Sequence, residues 1–178
     1  MDAPPVLVRE ARDGDAAGLI ALIGSVFAEY PGVLLDVDGE MPHLRAIATS
    51  YARWGGRFWV AERDGAVVGS IGIAAADAPA TPYLPEPLAA APAPEQADEI
   101  HHLYVHRSAR RAGLGGRLLA QAEAAARARG ARRIVLWSDT RFLDAHGFYL
   151  RRGYLQQPET RDLGDISRTT EYQFIREL

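Results

Sequence analysis

Apolar and polar positions along this chain follow two periods, and the switches between them mark out its elements. Val6-Leu7-Val8-Arg9-Glu10 is a short β-type run. After Asp13-Gly14-Asp15, the residues Ala16, Leu19, Ile20, Leu22, Ile23, Val26 and Phe27 recur at helical spacing. Asp13 or Asp15 would cap that helix, and Tyr30-Pro31-Gly32 stops it. Pro42 opens a second short helix that reaches Tyr51. Phe58–Arg63 and Ala66–Ile73 flank Asp64-Gly65, the pattern of a β-hairpin closed by a tight turn.

Residues 77–98 have no period and are rich in proline and alanine, with TPYLPEPL at their centre. Proline fixes φ and removes donors, so a long excursion between two strands is expected, either a cover over a site or a passive insertion. Glu99–Val105 reads as a strand, and Leu114–Arg129 as a helix whose apolar face is Leu114, Leu118, Leu119, Ala122, Ala125 and Ala126, closed by Gly130. Arg133–Trp137 is a buried-type strand, Phe142–Arg151 a helix ended by Gly153, and strands follow near Tyr154–Gln157 and Thr169–Ile175. The order β-α-α-β-β, long loop, β-α-β-α-β-β is that of a mixed α/β (α+β) domain.

Composition narrows the classes. A chain of 178 residues fits one domain, 1–178, carrying the insertion at about 77–98. With no cysteine, a disulfide framework, a thiolate metal site and a cysteine nucleophile are excluded. The net charge of −3 argues against a protein devoted to nucleic acid, and no apolar run is long enough to span a membrane. The opening MDAPPVLVRE has no basic stretch ahead of an apolar one, so a cytoplasmic protein without a secretory leader is expected. All basic side chains apart from histidine are arginine, and asparagine is absent, a bias that codon composition explains without function.

The chemistry concentrates in Arg110-Arg111-Ala112-Gly113-Leu114-Gly115-Gly116, between a strand and the longest helix. Glycines there let backbone N–H groups converge on one point, and the helix dipole makes that point an anion site. Arg107, Arg110, Arg111 and Arg117 lie close by, which suits a pyrophosphate better than one carboxylate. A nucleotide P-loop needs a lysine the chain lacks, and a dinucleotide fingerprint needs glycine where Leu118 stands.

The string Glu99-Ile-His-His-Leu-Tyr-Val105, followed by Arg110-x-x-Gly113-x-Gly115, resembles the acetyl-CoA-binding core of the GNAT N-acetyltransferases. Ala145-His-Gly-Phe-Tyr149-Leu-Arg-Arg-Gly153-Tyr154 resembles a second segment of that family. The resemblance implies a mixed, mostly antiparallel sheet splayed between its fourth and fifth strands and flanked by helices. It implies acetyl-CoA as acyl donor, with no metal and no nucleophilic side chain, and direct attack by a primary amine through a tetrahedral intermediate. The amides of Arg111, Ala112, Gly113, Leu114, Gly115 and Gly116 would bind the pyrophosphate, with the Arg110 and Arg111 side chains adding charge. Leu103, Tyr104 and Val105 would pair with the pantetheine arm and polarise the thioester carbonyl. Tyr149 would protonate the leaving sulfur, and Glu99 would act as general base, directly or through water.

Some positions depart from the family. Many relatives hold the cofactor through an asparagine before the tyrosine, whereas Phe142 stands near that place. Strand alternation puts His101 on the face of Glu99 and His102 on the other, with Tyr104, and either histidine is a candidate proton relay. Asp139, Asp144 and His146 cluster around one helix and would either bind substrate or cap and solvate it, and Trp137 reads as packing at the edge of the acceptor pocket. Glu29, Tyr30, Asp36, Asp38 and Glu40 form an acidic stretch that would draw a cationic amine if it faces the acceptor. The alternative activity is a non-catalytic acyl-CoA-binding sensor of the same fold. A nucleic-acid role for the arginine-rich helix lacks the aromatic interleaving it needs. The amine acceptor stays unidentified, and monomer and homodimer are both open.

Overall fold

The computed structural model describes residues 5–76 and 96–178. In chain order the elements are β1 (Leu7–Glu10), α1 (Ala16–Phe27), α2 (Ile47–Arg53), β2 (Arg57–Arg63), β3 (Ala66–Ala75) and β4 (Ala97–Val105). They continue with α3 (Leu114–Ala128), β5 (Arg133–Asp139), α4 (Leu143–Arg151), β6 (Leu155–Asp162) and β7 (Thr170–Glu177). Among the described residues this is the order the periodicity predicts. Most of the proline-rich segment, residues 77–95, lies outside the described residues, but its last two positions are not loop: Ala97 and Asp98 already pair with Arg133 and Ile134 in β4.

The seven strands form one sheet in the order β1-β2-β3-β4-β5-β7-β6, every neighbouring pair antiparallel except β4 with β5. Asp64 and Gly65 both have positive φ (52° and 75°), the geometry a two-residue turn between β2 and β3 demands. One face of the sheet packs under α3, where Leu118, Leu119, Ala122 and Ala126 meet Ile73, Ile100, Ile134 and Leu136. The other face carries α1 and α2, with Leu19, Ile23, Leu44, Ile47 and Tyr51 against Phe58 and Val60. Each fully buried side chain of this size contributes about 1.5–3 kcal/mol.

Three expectations need correction. Neither Asp13 nor Asp15 caps α1 through its side chain. Asp13 instead accepts from the Thr49 amide (3.0 Å) and hydroxyl (2.6 Å) in the first turn of α2, and Asp15 holds the Arg9 guanidinium (2.8 Å). The Pro42 helix is a 3-10 turn through Ala46 that hands over to α2. β6 is longer than expected because it is an edge strand, where Pro158 and a run of polar residues are tolerated and the register slips between Gln156 and Thr160.

Candidate active site

β4 and β5 pair only from Ala97–Arg133 to Ile100–Leu136. Beyond that, both strands continue but diverge, which opens the sheet at its one parallel junction. On its other side β4 carries an extra residue against β3, with Ser70 opposite Tyr104 but Gly72 opposite His101. His102 takes up the surplus with φ 53°, a left-handed conformation histidine tolerates, and the Ser70 hydroxyl donates to its carbonyl at 2.7 Å.

This bulge corrects the expected facing of the histidines. Both rings turn toward α1 and α2: His101 lies 6.3 Å from Tyr51, and His102 Nε2 is 2.8 Å from His43 Nε2. Leu103 and Val105 then face the α3 core, and Tyr104 meets Phe27 at 5.7 Å on the opposite side.

The divergence opens into a cleft of about 1240 Å³. Of the residues singled out from sequence, Glu99, Leu103, Tyr104, Val105, Arg110, Arg111, Gly113, Leu114, Gly115, Gly116 and Tyr149 line it. Ala112 does not; it is exposed outside the lining. Arg111 (φ 61°) and Gly113 (φ 76°) turn the chain from β4 into α3, and a Cβ on Gly113 would meet nothing, so the backbone angle alone calls for glycine. The helical ladder of α3 begins with Arg117 N–H to the Gly113 carbonyl (3.1 Å), so the N–H groups of Leu114, Gly115 and Gly116 precede it.

Arg110 behaves differently from the expectation of an added charge. Its Nε donates to the Val105 carbonyl (2.9 Å) and its two terminal nitrogens grip Glu29 (2.7 Å each), so it braces the loop against β4 and α1. Glu29 is thereby removed from the acidic stretch proposed for an acceptor. Asp38 pairs with Arg45, Asp36 accepts from the Gly39 amide, and Glu40 accepts from the Ile166 amide. Arg111 has no carboxylate partner among the described residues. Arg152 was missed as a cleft residue. It follows Tyr149 by about one helical turn, lies 4.8 Å over the Phe148 ring, and would be struck by a Cβ on Gly116.

Tyr149 is buried among Phe148, Tyr154 and Phe174, with ring centroids 5.6–5.9 Å apart. Burial pushes its hydroxyl above the ordinary tyrosine value, so it keeps its proton at neutral pH. Phe142 stacks on Tyr30 at 4.5 Å. Asp139 is taken by Arg141 (2.6 Å) and its carbonyl by His146 Nε2 (2.9 Å), structural partnerships for both.

On the face of α1 and α2, Glu99 contacts His101 Nε2 (3.3 Å) and Arg161 (3.8 Å), and Arg161 Nε donates to Glu171 at 2.7 Å. The Arg161 guanidinium lies 4.3 Å over Trp137. Burial pushes the Glu99 carboxyl up, but His101 and Arg161 outweigh it and hold it below the ordinary glutamate value. Glu171, like Arg161, was not singled out from sequence; it lines the cleft, and burial raises it. Two loops roof this end: Leu34 N–H donates to Ser167 Oγ at 2.9 Å.

Solved structures share the fold at low identity. A GNAT-family acetyltransferase of Staphylococcus aureus Mu50 superposes with TM-score 0.75 at 18% identity, covering 98% of this chain and 99% of its own. The Salmonella typhimurium protein yncA, solved with its cofactor acetyl-CoA, gives 0.66 at 15% identity over 97% and 94%. The PaiA N-acetyltransferase of Thermoplasma acidophilum, solved with coenzyme A, gives 0.64 at 15% identity over 95% and 98%. No curated protein matches the sequence. The family model for acetyltransferases of the GNAT family matches residues 26–154, from α1 through the splayed strands to the end of α4. The chain belongs to the acetyltransferase (GNAT) family and is, by that membership, an acyltransferase.

Proposed function

We propose that the protein transfers an acetyl group from acetyl-CoA to a primary amine by direct attack. The observation that carries this reading is the gap between β4 and β5. At one end are glycine-turned amides and two guanidinium groups, Arg111 and Arg152, that have no carboxylate partner among the described residues, and at the other are carboxylates. The two relatives solved with acetyl-CoA or coenzyme A support the donor.

The N–H groups from Arg111 to Gly116, with Arg111 and Arg152, hold the pyrophosphate. Glycine fits this cradle, because a Cβ at Gly116 would run into the Arg152 guanidinium. Leu103, Tyr104 and Val105 offer the pantetheine arm a strand edge that β5 has left, and a backbone N–H there stabilises the oxyanion. The amine enters from the other face of the sheet. Glu99, with the second carboxylate that Arg161 ties to it, draws in its ammonium and orients it, directly or through water. Tyr149, which retains its proton, donates to the departing sulfur.

Calorimetry with acetyl-CoA, then a primary-amine panel followed by free-thiol release, tests the proposal. Tight binding with amine-dependent thiol release is expected. Binding without thiol release from any amine points to an acyl-CoA sensor instead, and no binding removes the proposal.

A further inference from the structure

We infer that Glu171, brought by β7 to the floor of the cleft, takes the proton from the acceptor's ammonium while Glu99 stays ionised beside it. The inference rests on the acetyl-transfer reading and assigns the proton transfer that reading leaves to a pair of carboxylates.

Four strands deliver the charged groups to this spot. β4 supplies Glu99 and His101, β5 supplies Asp139, β6 supplies Arg161, and β7 supplies Glu171, directly opposite Asp139 in register. Asp139 is neutralised by Arg141 at 2.6 Å. That leaves Glu99 and Glu171 sharing one guanidinium, at 3.8 Å and 2.7 Å respectively. Both side chains are nearly buried, at 10% and 15% exposure, so little water screens the two carboxylates from each other. An ammonium or a proton placed beside them relieves that repulsion.

That proton belongs on Glu171. Glu99 faces His101 as well as Arg161, and together they hold it below the ordinary range despite its burial. For Glu171, burial acts upward first, Glu99 pushes the same way, Asp139, paired with Arg141, adds least, and only Arg161 opposes them, so its carboxyl lies above the ordinary range. A base acting near neutral pH needs this displacement toward the working pH.

The step balances as follows. The ammonium gives one proton to the Glu171 carboxylate, and the freed nitrogen lone pair attacks the thioester carbonyl carbon. A C–N bond forms, the C–S bond breaks, and Tyr149 gives its hydroxyl proton to the sulfur. The nitrogen's surplus proton restores Tyr149, and Glu171 releases its proton to solvent.

Two small amines separate a base from a structural residue: ethylamine, protonated at neutral pH, and trifluoroethylamine, largely unprotonated there. Glu171→Gln is expected to slow acetylation of ethylamine by about 10²–10⁴-fold and to remove the acidic limb of its kcat/KM profile. Trifluoroethylamine should lose little, Glu171→Asp should recover part of the ethylamine rate, and Glu99→Gln should keep the limb. Equal slowing of both amines by Glu171→Gln, or loss of the limb in Glu99→Gln instead, overturns the inference. Infrared titration of the full chain with acetyl-CoA bound gives a readout independent of the acceptor. The buried carboxyl band that ionises last should vanish in Glu171→Gln and persist in Glu99→Gln; the reverse overturns the assignment. If the wild type releases no thiol with either amine while binding acetyl-CoA, the acetyl-transfer reading fails, and the proton transfer assigned to Glu171 fails with it.

Discussion

The buried pair His43 and His102 should make stability fall with acidification. Their Nε2 atoms are 2.8 Å apart, so one ring donates and the other accepts. A proton added to the accepting nitrogen would set N–H against N–H. Burial pushes His43 down to about 4, with the neighbouring His101 acting in the same direction. His102 is lowered well below its ordinary value, again by burial first, then by His43 and His101. In the unfolded chain both return to an ordinary value near 6.5. Between pH 6.5 and about 4 the unfolded chain therefore binds a proton that folded His43 refuses, so stability is full above that window and is lost as pH falls through it. One such group removes about 1.4 kcal/mol per pH unit, and about 3 kcal/mol across the window. Urea unfolding reads this directly, because Trp54 lies 5.6 Å from the His43 ring and reports the site by fluorescence. His43→Gln keeps a side-chain donor for His102 but does not titrate. Carboxylate contributions are common to both proteins and cancel in the comparison. The variant's stability should decline less steeply, by about 1.4 kcal/mol per pH unit between about pH 6 and pH 4.5. Equal slopes for variant and wild type would refute the reasoning, since His43 would then be titrating alike in both states.

Tyr149→Phe should lower turnover by about 10²–10⁴-fold while calorimetric affinity for acetyl-CoA holds, as expected for a proton donor used only at sulfur departure. Gly116→Ala places a methyl group against Arg152 and in the amide cradle, so acetyl-CoA affinity should drop while thermal stability changes little, because the displaced group is the end of a flexible side chain. Ser70→Ala strips the bulge carbonyl of His102 of its hydroxyl donor inside the protein, and unfolding free energy should fall by about 1–3 kcal/mol.

What the sequence disclosed and what it hid divide along the range of the interactions. The element order was legible because its signals are local: helical spacing in Leu114–Ala128, the Asp64-Gly65 turn, and glycines behind α3 and α4. The glycine-rich turn into α3 was legible for the same reason, since strand, turn and helix are consecutive. The partners of its side chains were not, because Arg110 meets a carboxylate 81 positions away. Alternation assigns His101 and His102 to opposite faces, and only the mismatch between β3 and β4 reveals that the chain slips there. Nothing in the local pattern around Arg161 and Glu171 marks them out, and the strand expected near Tyr154–Gln157 stops short of Arg161. Their burial arises because the sheet opens over that side and two distant loops, around Leu34 and Ser167, close above it.

These pairings also decide which charges govern the cleft. The cleft is lined by Arg107, Arg110, Arg111, Arg151 and Arg152, with Asp144 acting on Arg110, and by Glu40, Glu99, Asp139, Asp165 and Glu171, with Arg161 between Glu99 and Glu171. Composition alone would credit every one of them to ligand attraction. Yet Arg110 is matched by Glu29, Asp139 by Arg141, and the Asp165 carboxylate accepts from the Thr169 amide and hydroxyl. A matched pair has little field beyond its own length, since the opposed charges cancel and solvent screens what remains. The field that a diphosphate meets is therefore left to groups such as Arg111 and Arg152 together with the helix amides, and the field that an ammonium meets to Glu99 and Glu171 less Arg161. Those residual charges have opposite sign and sit on opposite faces of the sheet, with the gap between β4 and β5 as the passage between them. On the proposed reaction, a polyanionic donor and a cationic acceptor would each be drawn to one end and repelled from the other, so electrostatics would order the two substrates about the point where the strands part.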